Sequence, residues 1–261
     1  MQITVNGIAI NYLVDGPADA PWVTFCNSLA ADMRMWDFQV AALKGRYRVL
    51  RYDRRGHGGT PAPGRNWRIE DLAADVLGLW DALGIPRSHY VGCSIGGMTG
   101  LALARDNPRR LGRFVCADSR ADAPPGTDAL WSERIAQARA IGMAGMVDST
   151  LARWFTAGFL RWNPPVLDVV RSMIEGTTLD GYEGCARAVM NLDLAASLSH
   201  LRVPTLFVVG AEDPSTTPAV ARAMHAAAPG SGFREIPYGS HVCNIEQADA
   251  FNRVMIDFLA A

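Results

Sequence analysis

Gly92-Cys93-Ser94-Ile95-Gly96 is a G-x-S-x-G pentapeptide, and its flanks decide how the chain folds. The apolar pair Tyr90-Val91 runs into it, and a helix-compatible stretch from Met98 to Ala104 runs out. Strand, sharp turn, helix is the setting of a nucleophile elbow. Such a turn strains the serine backbone and exposes Oγ above the sheet edge. Its glycines are required because a Cβ there would strike the neighbouring strand or helix. Ser94 would also sit at a helix N-terminus, where free N–H groups and the dipole favour a developing negative charge. In a chain with 25 glycines the bare motif can arise by chance, so its weight comes from context and partners.

The acid and the base should follow the serine in that order. Pro204 to Gly210 reads as a short buried strand, followed by Ala211-Glu212-Asp213-Pro214. Thr217-Pro218 then supplies an N-cap and first-turn pair for a helix. An acid just past a strand's C-terminal end lies where open α/β sheets build their sites. Asp213 is the preferred acid. Glu212 is the adjacent choice, expected to point to solvent. Asp118, at the end of Phe114-Val115-Cys116-Ala117, is the stronger rival; its plainer role is a loop hydrogen bond. Of the five histidines, only His241 follows Asp213 on a loop after a strand, here Phe233-Arg234-Glu235-Ile236. His225 falls in a helical stretch and is expected at the surface. His57 belongs to a Gly-rich turn, and His89 and His200 flank elements.

Those three residues define roles. His241 would take the Ser94 proton, and Asp213 would hold the imidazole tautomer and stabilise its charged form. Ser94 would attack an acyl carbonyl and carry the acyl group. The oxyanion needs two preset N–H donors, each worth about 3 kcal/mol. One is the backbone N–H of Ile95, after the nucleophile. The other is expected on Asn27-Ser28-Leu29, after the strand Trp22–Cys26, with the N–H of Leu29 the candidate. Such covalent acyl chemistry calls for no metal, flavin or nucleotide.

The surrounding pattern is that of one α/β unit. Ile3, Val5, Ile8, Ile10 and Tyr12 alternate about Asn6-Gly7, a hairpin-turn signal. A helix near Trp36–Leu43 and a strand Tyr47–Asp53 follow. Ile69, Leu72, Ala73, Val76, Trp80 and Leu83 recur at helical spacing before Gly84, and Trp80 is expected in the core. Pro124-Pro125-Gly126 marks an exit, and Trp131 to about Ser199 is mainly helical. Gly142, Gly145, Gly158, Pro164-Pro165 and Gly181 punctuate that stretch. The strand pattern resumes at Val203. These features predict a mostly parallel eight-stranded sheet with helices on both faces, its core at 1–121 and 199–261. Residues 122–198 should form an inserted helical cap.

The chain has 261 residues, 49% of them hydrophobic, and a formal net charge of −1. That length can bury a large core. The charge balance argues against nucleic-acid binding. The five cysteines, Cys26, Cys93, Cys116, Cys185 and Cys243, form no C-x-x-C pair. They point to free thiols in a reducing compartment rather than to metal or disulfides. Cys93 and Cys243 adjoin the candidate site, where small buried side chains explain them more simply than redox chemistry. With no signal-peptide pattern and no long apolar run, a cytoplasmic protein without membrane association is expected.

With these landmarks in place, the chain resembles the α/β-hydrolase superfamily over essentially its full length. The matching residues are Asn27-Ser28-Leu29, Tyr52-Asp53-Arg54-Arg55-Gly56-His57-Gly58, the elbow, Gly210-Ala211-Glu212-Asp213 and Gly239-Ser240-His241. Within it, the chain is similar to bacterial 3-oxoadipate enol-lactonases. Asn27-Ser28-Leu29 followed by Met33-Arg34-Met35-Trp36-Asp37, Gly96-Gly97-Met98, Arg153-Trp154-Phe155-Thr156 and His241-Val242-Cys243-Asn244-Ile245-Glu246-Gln247 carry that likeness. Cys93, Ile95 and the stretch Ala117–Asp122 depart from it. The resemblance implies a hydrolase of a small ester or lactone, with or without a free carboxylate.

Substrate choice should fall to the cap, because the core supplies generic acyl chemistry. Trp131 and Trp154 are candidate pocket residues among its aromatics. A carboxylated substrate needs a cation in an otherwise apolar pocket. Among Arg134, Arg139, Arg153, Arg161, Arg171 and Arg187, Arg134 is favoured because Trp131, Arg134, Ile135 and Ala138 share a helix face. An arginine lying along the cap surface is the competing reading. A broad carboxylesterase, a perhydrolase-type enzyme, a carbon–carbon bond hydrolase and a catalytically silent ligand-binding receptor are the alternative functions.

Overall fold

The computed structural model describes residues 1–261. The chain opens with β1 (Gln2–Val5) and β2 (Ile8–Asp15), paired antiparallel with Val5 opposite Ile8. Asn6 and Gly7 between them have φ of 51° and 77°. Two positive φ values in a two-residue loop match the twist of the flanking strands. Then come β3 (Trp22–Cys26), α1 (Asp37–Leu43), β4 (Arg48–Tyr52), α2 (Ile69–Ala82), β5 (Ser88–Cys93), α3 (Ile95–Asp106) and β6 (Leu111–Ala117). Met33–Trp36, just ahead of α1, is a 3-10 turn capped by Asp32.

Five helices separate β6 from the next strand: α4 (Thr127–Gly145), α5 (Val147–Trp154), α6 (Ala157–Trp162), α7 (Val166–Glu175) and α8 (Leu179–Met190). The chain closes with β7 (Thr205–Gly210), α9 (Pro218–Ala227), β8 (Gly232–Ile236), α10 (Cys243–Glu246) and α11 (Ala248–Ala260). The strands form one eight-stranded sheet in the order β1-β2-β4-β3-β5-β6-β7-β8. β1, β2 and β4 pair antiparallel, and the rest of the sheet is parallel. Its central strands are nearly continuous buried runs, as a sheet covered on both faces requires. Trp80 is fully buried and donates its indole N–H to Thr24 Oγ1 at 2.8 Å.

The helical insertion is zipped shut where it leaves the sheet. Ala123 N–H donates to Leu192 O at 3.0 Å, and Leu194 N–H to Ala121 O at 2.7 Å. Its internal breaks follow the sequence expectation at Gly142 and depart from it at Gly181. Gly142 interrupts α4 with φ 70°, ψ 171°. Gly181 is no break; it lies in the first turn of α8. A Cβ there would come within 2.3 Å of Gly56 O. The glycine lets the insertion touch the loop after β4, where Thr178 N–H also donates to Gly56 O at 3.0 Å. Thr217 precedes α9 as read, with Pro218 in the first turn, but its hydroxyl makes no capping hydrogen bond.

Candidate active site

The turn from β5 into α3 places Ser94 at the N-cap of α3 with φ 55°, ψ −118°. A non-glycine residue there is strained. Packing enforces it: a Cβ on Gly92 would lie 2.2 Å from Gly96 O, and one on Gly96 2.2 Å from Cys26 O. Ser94 N–H is anchored on Ala117 O of the neighbouring strand at 2.9 Å.

Three loops at the C-terminal edge of the sheet converge here. Ser94 Oγ lies 3.0 Å from His241 Nε2, and His241 Nδ1 lies 2.9 Å from Asp213 Oδ2. Asp213 is further held by Thr216 Oγ1 at 2.6 Å and by the N–H groups of Ser215 and Thr216 at 2.7 and 3.1 Å. Burial works against ionisation of Asp213. The facing His241 and these hydrogen bonds outweigh it, keeping the carboxyl below its ordinary pKa. Burial likewise opposes protonation of His241, but the Asp213 carboxylate prevails and raises its pKa. The pair therefore stabilises an imidazolium.

The rival acids sit elsewhere. Glu212 is exposed. Asp118 is fully buried beneath the His241 loop, with φ 44°. It accepts from Gly210 N–H at 2.7 Å and from the Cys243 thiol at 3.0 Å, and makes no hydrogen bond to the imidazole. Burial, reinforced by Asp213, pushes its pKa up to about 8. It is largely protonated at neutral pH. Burial also raises the Cys93 and Cys243 thiols well above their ordinary pKa. Both remain thiols and poor nucleophiles.

His225 departs from its expected surface position. It is half-buried, with Nδ1 2.8 Å from Ser231 Oγ and its ring stacked on Phe233. His57, unassigned from sequence, is buried, and its pKa falls to about 3 through burial and the nearby Arg54. It is neutral. Its Nδ1–H donates to Arg55 O at 3.0 Å, and its Nε2 accepts from Ala30 N–H at 3.1 Å. On the loop after β3, Ser28 N–H contacts Met35 Sδ at 3.2 Å. Between these two, Leu29 N–H has no protein acceptor and its residue lines the cavity. Ile95 N–H opens α3 and has no intrahelical acceptor.

The cavity above Ser94 has a volume of about 390 Å³. Its floor includes Ser94, His241, Leu29 and Ile95, and its walls include Trp131, Arg134 and Trp154 from the insertion. Arg134 lies over the Trp131 ring at 4.9 Å and joins no ion pair. Arg139 and Arg187 are paired with Glu183, Arg171 with Asp148, and Arg161 is exposed. Arg153 also lines the cavity, and its only side-chain partner is Thr150 Oγ1 at 3.0 Å. Burial and the neighbouring Arg134 lower its pKa. In the sequence Arg153 opens the Arg153-Trp154-Phe155-Thr156 stretch that carries the family likeness, but nothing there marks it as a substrate contact ahead of the other five arginines of the insertion. Its place beside Trp154, three residues after Thr150 on α5, was the only hint.

A second missed residue ties the His241 loop to the insertion. Glu246 accepts from Thr156 N–H at 2.9 Å, Thr156 Oγ1 at 2.6 Å and Ser240 N–H at 2.7 Å. No group of three or more His, Cys, Asp or Glu side chains is placed to hold a metal ion. No helix is long and apolar enough to cross a membrane.

Residues 21–248 match the family model described as alpha/beta hydrolase fold. The chain belongs to the α/β-hydrolase family, and it is a hydrolase. It is 33% identical to 3-oxoadipate enol-lactonase 2 of Acinetobacter baylyi, over 97% of this chain and 94% of that protein. It is 35% identical to 3-oxoadipate enol-lactonase 1 of the same organism, with the same coverage. The crystal structure of the enol-lactonase from Burkholderia xenovorans LB400 superposes with a TM-score of 0.96. It is 39% identical and covers all of both chains.

Proposed function

We propose that this hydrolase opens a small carboxylated lactone of the 3-oxoadipate enol-lactone type through an acyl-enzyme on Ser94. The observation that carries the reading is a Ser94–His241–Asp213 chain opening into a cavity whose roof holds two arginines without carboxylate partners. The names of the relatives agree with it. Residues 122–198 act as the cap, and 1–121 with 199–261 as the catalytic core.

His241 Nε2 takes the Ser94 proton as Oγ attacks the lactone carbonyl. The oxyanion is received by the N–H groups of Leu29 and Ile95. Collapse breaks the ring C–O bond. The leaving oxygen departs as an enol that rearranges to a ketone, so expulsion is easy. Water activated by His241 then releases a dicarboxylate. Arg134 and Arg153 hold the carboxylate that the lactone already carries. The chemistry calls for no metal or redox cofactor, nucleic acid or membrane.

The test is a spectrophotometric comparison of a carboxylated enol-lactone with a neutral p-nitrophenyl ester. Higher kcat/KM on the lactone is expected, abolished on both by Ser94→Ala. Preference for the neutral ester would leave a general carboxylesterase in its place.

A further inference from the structure

Arg54 is 2% exposed, yet it has no carboxylate beside it. Its Nη2 donates to Asn27 O at 2.6 Å and to Ser28 O at 2.8 Å, while Nε and Nη1 have no partner. Its neighbours include Tyr52, Tyr90 and Cys185, whose pKa values burial raises, so they are neutral. A buried cation without a counter-ion is costly unless dipoles offset it. Here the dipoles are two carbonyls of the loop that carries Leu29.

Ser28 O and Leu29 N–H belong to one peptide group. In a trans peptide the two point in opposite directions. A cation bonded to the oxygen draws electron density from the nitrogen and makes the N–H a stronger donor. The second donor has the same construction. Ile95 N–H shares its peptide with Ser94 O, which accepts from Ser119 Oγ at 2.7 Å and from Met98 N–H at 3.1 Å.

We propose that Arg54 and Ser119 are positioning residues that polarise the two oxyanion-hole peptides from behind, Arg54 through Ser28–Leu29 and Ser119 through Ser94–Ile95. This rests on the acyl-enzyme reading above. The buried charge of Arg54 acts on the transition state without touching the substrate. His57 completes the clamp by holding Ala30, which at φ 65° turns the loop past Leu29.

Steady-state kinetics of Arg54→Lys, Arg54→Gln and Ser119→Ala test this, together with inhibition by an alkyl boronic acid that forms a tetrahedral adduct on Ser94. Lysine keeps the charge, whereas glutamine keeps only a neutral donor. Arg54→Gln should lower kcat about 10- to 50-fold and Ser119→Ala about 2- to 5-fold, with KM unchanged. Arg54→Lys should retain more activity than Arg54→Gln. Boronate affinity should fall in step with kcat, while affinity for the dicarboxylate product stays put. Equal losses in the Lys and Gln variants, or losses confined to KM, would reduce Arg54 to a structural brace and overturn its part. Should both Arg54 variants fail to fold, Ser119→Ala decides the matter, and an unchanged kcat overturns the proposal. Ser94→Ala serves as control. Inactive Ser94→Ala beside unaffected Arg54 and Ser119 variants defeats only this inference, whereas active Ser94→Ala defeats the acyl-enzyme reading itself.

Discussion

At the floor of the cavity, Ser94 Oγ, both His241 nitrogens and both Asp213 oxygens have protein partners. At its roof, Arg134 rests on an indole and Arg153 on a single hydroxyl, with no carboxylate for either. The floor is complete without substrate, and its job is to be rigid. The roof is electrostatically unfinished, and a bound anion would complete it. Arg120, which also lines the cavity, shows the contrast within one wall, because Asp122 already takes its charge. In the proposed function a preorganised floor supplies the chemistry, and an uncompensated roof selects what reaches it.

The largest effect should come from the floor. Ser94→Ala and His241→Ala should each reduce kcat by about 10⁴–10⁶-fold, and the double variant should be little worse, because the residues act as a unit. Additive losses in stopped-flow and steady-state assays would break that unity.

Asp213→Asn should cost about 10³–10⁴-fold in kcat, because an amide facing Nδ1 favours the wrong tautomer. Asp118→Asn should cost less than about tenfold, since Asp118 touches no imidazole nitrogen and is largely neutral. The reverse order would move the acid to the end of β6.

At the roof, Arg153→Met and Arg134→Met should each raise KM for a carboxylated lactone. The loss should be about 2–3 kcal/mol, roughly 30- to 150-fold. Turnover of a neutral p-nitrophenyl ester should change by less than about threefold. Equal loss on both substrates would show that the insertion had collapsed rather than lost a carboxylate clamp.

The smallest effect is a stability difference with pH. The folded state raises the Asp118 pKa to about 8, so folded protein binds that proton more tightly than unfolded chain. This contribution is present below the unfolded pKa and is lost as pH rises through the folded one. Between pH 7 and 9 the wild type should lose about 1 kcal/mol from this source, or about 3–5 °C in Tm. Asp118→Asn should show a shallower fall by calorimetry. His241, also raised, contributes in the same direction in both proteins. Parallel curves would mean that Asp118 ionises normally. In kinetics, kcat/KM should rise with pH through a His241 pKa above its ordinary value, because the base must be unprotonated.

Much of the fold is legible along the chain because its signals are local. Asn6-Gly7 sets a hairpin, Gly84 ends α2 with φ 66°, and buried runs such as Thr205–Gly210 mark central strands. Ser94, Asp213 and His241 can be named from motif and order, since each follows a strand at the same sheet edge. Gly181 misled because a glycine needed for close approach to Gly56 looks in sequence like a helix break. His225 misled because its partners, Ser231 and Phe233, come from the next loop and strand.

What sequence alone determined was the class of element and the residues able to do chemistry. Those depend on side-chain type and on spacings of a few residues. Only tertiary structure decided which charges are spent. Asp118 and Asp213 are the same residue type after neighbouring strands, yet burial with unlike partners leaves one neutral and the other ionised. Six arginines in the insertion are alike on paper, and Glu183 and Asp148 claim three of them. Arg54 is one of several arginines in the sequence, and in the fold it is the cation behind Leu29. Desolvation and pairing depend on atoms brought together from distant parts of the chain, and no local pattern encodes them.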